Sequence, residues 1–151
     1  MIELTTKGFV ELSKKLKQEY RDSIKTNLGR MVFRVGNKME TTAKQNIRQS
    51  VYSSEKSPLY PKRSGKAQQS IILERKDELT ARVFMGVDYG RYLEEGTGIY
   101  HESGAHTPWR GNIPTIGWRW IKGMKARPFW KPAIKTTRTF ATEQLKLKNL
   151  I

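Results

Sequence analysis

Few residues in this chain could do chemistry. The two histidines, His101 and His106, stand five apart in the segment HESGAH. A zinc hydrolase of the His-Glu-x-x-His type needs two imidazoles at i and i+4 on one helix, with the glutamate next to the first. Here the spacing is one residue too long and Gly104 lies between them, so a metal-dependent hydrolase would rest on a loop pair without an evident third ligand. There is no cysteine, which excludes a thiol nucleophile, a disulfide framework and cysteine-based zinc sites, and suits a chain made in a reducing compartment. Glu94 and Glu95 are adjacent, so a helical turn sends them to different sides, and Asp88 has no obvious partner. Phosphate-cradling glycine loops, the dinucleotide fingerprint and the nucleophile elbow do not occur. This reading gives no enzyme, no metal and no cofactor.

Charge and aromatic surface are what the chain has instead. Its 29 Lys and Arg outweigh 14 Asp and Glu, leaving a formal +15. The excess is uneven: +6 over residues 1–50, +1 over 51–100 and +8 over 101–151. From Ser103 to Thr142 there is no acid, while Arg110, Arg119, Lys122 and Lys125 fall there beside Trp109, Trp118 and Trp120. Such a layout expects a polyanion or an acidic protein face nearby. Two readings of the basic, aromatic third stay open. Lys and Arg could neutralise phosphates while Trp stacks on bases; or the indoles pack a hairpin and the charges form a solvated face. No helix-turn-helix, zinc-finger or RNA-recognition pattern accompanies the charge.

The elements that must position these residues follow from periodicity. The 151 residues suit one domain. Phe9, Leu12, Leu16, Tyr20, Ile24, Leu28, Met31 or Val32, Val35, Met39, Ala43 and Ile47 recur in steps of three and four, which predicts one helix over about 8–50. Gly29 and Gly36 could kink or split it, and two shorter helices are the alternative. A stripe this long exceeds what about a hundred further residues can cover, so part of it is expected to meet another subunit. Pro58, Pro61 and Gly65 make 51–69 a mobile loop. Ser70–Arg75 and Leu79–Val87 read as a hairpin, Tyr89–Glu95 as a short helix ended by Gly96, and 97–125 as a projecting hairpin in which Trp118 and Trp120 share a side. Pro128 and Pro132 open a last helix over about 129–148. The class is α+β: a long helix, a small antiparallel sheet with a projecting hairpin, and a C-terminal helix. No apolar run reaches the roughly 18 residues of a membrane span, and the first residues hold Glu3 without an apolar core, so neither a membrane anchor nor a signal peptide is expected.

Three ordered segments carry a family likeness. Residues 63–71 (RSGKAQQSI) resemble a "TG-x-L-x-x-S-I" element, 87–98 (VDYGRYLEEGTG) a "Y-x-x-Y-x-E-x-GT" element, and 125–133 (KARPFWKPA) an "ARPFLxPA" element. Ser64, Ala67 and Trp130 depart from those patterns. With the long charged helix, the set is similar to the neck or tail-component family of long-tailed double-stranded DNA phages. The resemblance implies a virion protein of the head–tail junction, assembled in the host cytoplasm, that completes or joins the tail as a ring of copies without catalysis. Implied partners are a head connector or head-closure protein, a tail terminator or tail tube protein, further copies of itself, and packaged DNA touched without sequence preference. Gly65, Tyr89, Tyr92, Glu95, Gly96, Thr97, Arg127, Pro128 and Phe129 are then fold-defining residues. Gly65 would allow a tight entry into the strand at Ser70, Tyr89 and Tyr92 would pack the short helix on the sheet, and Glu95 would pair with Arg127. Arg110, Arg119, Lys122 and Lys125 become the cations facing DNA or a partner.

Overall fold

A computed structural model describes residues 6–52, 64–104, 107–114 and 116–145, with side chains from residue 11 onward. The first helix, α1, runs unbroken from Thr6 to Ile47. Its composition explains this: Lys, Arg, Glu, Gln, Leu and Met dominate, and no proline precedes Pro58. Pairs four apart, Glu40 with Lys44 at 2.6 Å and Gln18 with Asp22 at 3.2 Å, add small local support. At ~1.5 Å per residue the 42 residues span about 63 Å. A wider π-helical turn, Arg48–Tyr52, continues it. The apolar series simply goes on one more step, Ile47 to Val51, and Val51 is buried in the core.

The remaining elements are short. Helix α2 is Lys66–Gln69; strands β1 (Ile71–Arg75) and β2 (Ala81–Met85) pair antiparallel; helix α3 is Gly90–Glu95; strands β3 (Trp109–Ile113) and β4 (Gly117–Ile121) form a second antiparallel pair; helix α4 is Trp130–Gln144. The α+β class is as expected. Three boundaries are not. The expected loop over 51–69 has helical structure at both described ends, and 53–63, with Pro58 and Pro61, lies outside the described residues. Each strand of the first hairpin is shorter than the alternation suggested. Ser70 closes α2 instead, its N–H donating to the Lys66 carbonyl at 2.9 Å. Leu79 and Thr80 are taken up by the turn: the Asp77 side chain accepts the Leu79 N–H at 2.8 Å, and Lys76 N–H donates to the Thr80 carbonyl at 3.0 Å. The described part of α4 ends at Gln144, and residues beyond 145 lie outside it.

Gly29 and Gly36 do not split α1. They are where the β1–β2 hairpin lies against the helix. A Cβ on Gly29 would sit 2.6 Å from the Glu78 carbonyl oxygen, and one on Gly36 would sit 2.6 Å from Leu73 Cδ1. Only a helix face without side chains admits a strand pair this close. Lys25 and Glu78 then tie the hairpin tip to α1 at 2.6 Å, an exposed pair of small energetic weight.

One core forms where α1, β1, α3 and α4 meet. Ala43, Ile47 and Val51 come from the first helix and its π turn, Ala67 and Ile71 from around α2, Leu93 from α3, and Phe129 and Ala133 from the start of α4. Phe129 is 2% exposed; burying such a ring is worth roughly 1.5–3 kcal/mol. Among the described residues no helix is long and apolar enough to cross a membrane.

Candidate docking surfaces

All three sequence motifs enter this core. The first supplies Ala67 and Ile71, the second Leu93, the third Phe129 and Ala133. The second and third also bond directly. Arg127 N–H donates to the Leu93 carbonyl at 2.8 Å. The residues just before the third motif are tied in as well, Thr97 N–H donating to Met124 O at 2.8 Å and Ile99 N–H to Lys122 O at 3.0 Å. Thr97 Oγ1 accepts the Met124 N–H at 2.9 Å. Gly96, at φ 80°, ends α3 and lies so close to this segment that a Cβ would meet Ala126 N and Met124 O at 2.8 Å. Both its dihedral and its surroundings demand glycine. Gly65 acts differently from expectation. Its φ of 71° starts the one-turn helix α2, and the strand begins only at Ile71, after that turn is complete.

The acid that matters here is Glu94. Its carboxylate accepts the backbone N–H groups of Phe129 and Trp130, both at 2.8 Å, and of Lys131 at 2.9 Å. A helix leaves four N–H groups without intrahelical partners at its start. At α4 three go to Glu94, and the fourth position is Pro132, which has none. The negative charge also suits the positive end of the helix dipole. Asn46 on α1 completes the joint by donating to the Phe129 carbonyl at 2.9 Å. The glutamate of "Y-x-x-Y-x-E-x-GT", counted from Tyr89, falls on Glu94 and not on the expected Glu95.

The expected Glu95–Arg127 pair is not made. Glu95 Oε2 instead receives Arg91 Nε at 2.7 Å, one helical turn back, and lies 3.3 Å from His101 Nε2. The bond from Arg91 and, after it, that from His101 hold the Glu95 carboxyl below the ordinary glutamate range. On the other side of the imidazole, Ser103 N–H donates to Nδ1 at 3.2 Å, so Nε2 carries the proton toward Glu95. His106 lies outside the described residues, and among those described no group of three or more His, Cys, Asp or Glu could hold a metal.

Tyr89 and Tyr92 do not pack α3 on the sheet. They are 42% and 56% exposed. Gly90 and Leu93, three apart, take the inward positions, and Gly90 lies hard against the Met85 sulfur. Pro128 is exposed, and Arg127 contributes its backbone N–H to the joint.

Two surfaces remain outside this well-knit centre. The first is the β3–β4 hairpin, none of whose described residues joins the core. Its register pairs Arg110 with Trp120 and Asn112 with Trp118, so these four share one face. Trp118 is 64% and Trp120 71% exposed, and the Arg110 guanidinium lies 5.8 Å from the Trp118 ring. The Trp118 and Trp120 indoles therefore do not pack the hairpin, whereas the Trp109 ring lies close to Gly98 and Gly111. Arg119 pairs with Gly111 on the opposite face, while Lys122 and Lys125 follow the strand, Lys125 over Tyr100 at 5.8 Å. The four candidate cations thus occupy at least three separate surroundings.

The second surface is the first half of α1. Leu12, Leu16 and Tyr20 are 55%, 57% and 61% exposed. Fifteen-residue α4 reaches only about 22 Å, a third of α1, and packs along its later half. There the apolar stripe borders a groove of about 560 Å³, walled by α1, the β1–β2 hairpin and α4, and lined chiefly by Met31, Val35, Met39, Val83, Ile134 and Ala141.

Comparison with models of known families finds no match, and comparison with curated proteins and with solved structures finds none either.

Proposed function

We propose that this chain is a structural subunit of the head–tail junction of a long-tailed double-stranded DNA phage. It would complete or join the tail at the neck by ring assembly and docking, with no turnover. One observation carries the reading: the motif residues Ala67, Ile71, Leu93, Phe129 and Ala133 build the core, while the most exposed large apolar side chains, Leu16, Tyr20, Trp118 and Trp120, stand on the free half of α1 and on the β3–β4 hairpin. Exposed apolar patches of this kind mark contact surfaces. The hairpin would meet a head-closure or tail-terminator neighbour, and α1 other copies. The cations of the acid-free stretch would face packaged DNA or acidic protein in the virion.

The test is genetic. Deleting the gene and imaging the lysate should leave filled heads and tails apart. Intact virions would remove the reading.

A second reading has its own observation. Trp118, Trp120, Arg110 and Asn112 on one open face match a stacking platform for single-stranded nucleic acid, where each base stacked on an aromatic ring is worth roughly 1–3 kcal/mol. A salt-titrated gel shift separates the two. Tight binding by a monomer near physiological salt, lost in W118A/W120A, would favour this second reading.

A further inference from the structure

We infer that the groove beside α1 receives the free first half of α1 from a second copy of the same chain. The inference rests on the assembly reading above and adds which surfaces meet. Leu12, Leu16 and Tyr20 recur every four residues, which is the anchor spacing of a helix seated in a groove. The groove is open, about 560 Å³, and apolar along its walls, with Arg138 its one charged lining residue among those described. Both halves of the contact therefore exist on one chain, in equal number, with α1 supplying the arm and one wall of the groove. Each step of four residues advances the stripe by about 40° around a helix of 3.6 residues per turn. By Leu12 it has wound well away from the direction that α4 and the hairpin cover. The arm and the groove's α1 wall are also consecutive stretches of one unbroken helix, so a chain cannot fold its own arm into its own groove.

Charge and area agree with a second copy as occupant. Residues 11–25 carry both signs, with Lys14, Lys15, Lys17, Arg21 and Lys25 interspersed with Glu11, Glu19 and Asp22. The one-signed surface lies elsewhere, around β3–β4, so the arm is not the part suited to a polyanion. A helical segment of fourteen residues is ~20 Å long and ~10 Å wide. Two reciprocal contacts, counted on both partners, then bury on the order of 1,200 Å², the lower bound for a specific interface. A reciprocal contact closes a dimer; a contact passed from copy to copy gives a ring or a filament. Since each copy carries +15 overall, added salt should tighten this association, opposite to the response of a nucleic-acid complex.

The experiment is analytical ultracentrifugation of the purified chain across concentration, at about 0.1 M and 0.5 M salt. The wild type should exceed monomer mass, more so at the higher salt. Leu16→Glu in the arm and Ile134→Glu at the exposed groove lip should each return it to monomer with unchanged circular dichroism. Mixing those two variants should restore one arm-in-groove contact per pair and raise the mass again. Because both substitutions are at exposed positions, misfolding is not the expected confounder, and the dichroism checks it. A wild type that is monomeric throughout overturns the proposal, as does an oligomer that both variants leave intact. A monomer that associates only after residues 146–151 are removed would put the chain's own end in the groove and overturn it too. These results are independent of the lysate images. Association lost in both variants alongside intact virions from the deletion would keep the contact and remove the neck assignment.

Discussion

The two halves of α1 are made of the same residue classes at the same spacing, and they live in different environments. From Leu28 onward the apolar steps lie among other elements: the β1–β2 hairpin at Gly29 and Gly36, the groove shared with α4 along Met31 to Met39, and the core at Ala43 and Ile47. Before Ile24 the same steps meet solvent, with Leu16 and Tyr20 more than half exposed. Helical periodicity states that a face is built for burial. It does not say whose surface does the burying. The covered half also differs in one respect that matters: it carries the two glycines, and these let a hairpin approach closely enough to anchor the sheet on the helix. The exposed half has none between Gly8 and Gly29 and keeps full side chains along its length.

That contrast can be broken most decisively by a matched pair of truncations. Ile47→Ala should cost about 2–5 kcal/mol in urea unfolding, since Ile47 is fully buried and its loss leaves a cavity. Leu16→Ala, removing as much side chain from the same helix, should cost less than about 0.5 kcal/mol when measured on the monomer. Equal costs would mean that the arm is packed within its own chain.

A second pair compares the neighbouring acids of α3. Glu94→Ala removes the acceptor of three N–H groups at α4 and should lower stability by about 1–2 kcal/mol. Glu95→Ala loses only an exposed pair with Arg91 and a contact to His101, and should cost less than about 0.5 kcal/mol. Thermal melts of the two variants rank them directly.

The glycines sharpen the picture at the next level. Gly29→Ala gains helix propensity but sets a methyl against the backbone carbonyl of Glu78, so it should destabilise by a net of about 1 kcal/mol. At Gly36 the opposing atom is the tip of the Leu73 side chain, which can turn aside. Gly36→Ala should therefore lie nearer neutral in the same denaturation series. Reversal of that order would show that the hairpin tip yields more easily than the Leu73 side chain.

The smallest effect expected is that of pH. Asp77 is held below its ordinary range chiefly by the Leu79 N–H, Glu78 by Lys25, and Glu95 by Arg91. A carboxyl lowered on folding stabilises fully above its unfolded value, and that contribution fades as pH falls through the folded one. The melting temperature should be flat near neutrality and begin to drop below about pH 4. Lys25, raised mainly by Glu78, adds the opposite limb: its share disappears only as pH climbs past its raised value. K25M should shallow the acid drop slightly and remove the Lys25 share of the alkaline one.

Much of this was legible in the sequence. The α+β class, the long helix, both hairpins and Gly96 as the end of α3 follow from period, turn residues and glycine placement. Legibility failed at contacts between segments far apart in the chain. Nothing local at Glu94 announces that it will cap a helix starting some 35 residues later. Charge alone pairs Glu95 with Arg127, but the helix supplies a nearer arginine at Arg91. Tyr89 and Tyr92 look like packing residues by type, yet a helix of six residues has room for few inward positions, and the small Gly90 with Leu93 fill them.

By itself the sequence determined what is set by neighbours along the chain: a proline-free run that must be helical, alternating runs that must be strands, and a charge excess confined to two ends. Those follow from backbone sterics and residue type acting over a few positions. Only the tertiary structure decided which half of the stripe is covered, why two glycines sit in a helix, which of two adjacent glutamates caps α4, and that Trp118 and Trp120 stand in the open. Each depends on where another segment comes to rest, and that is fixed by the summed packing of the whole chain.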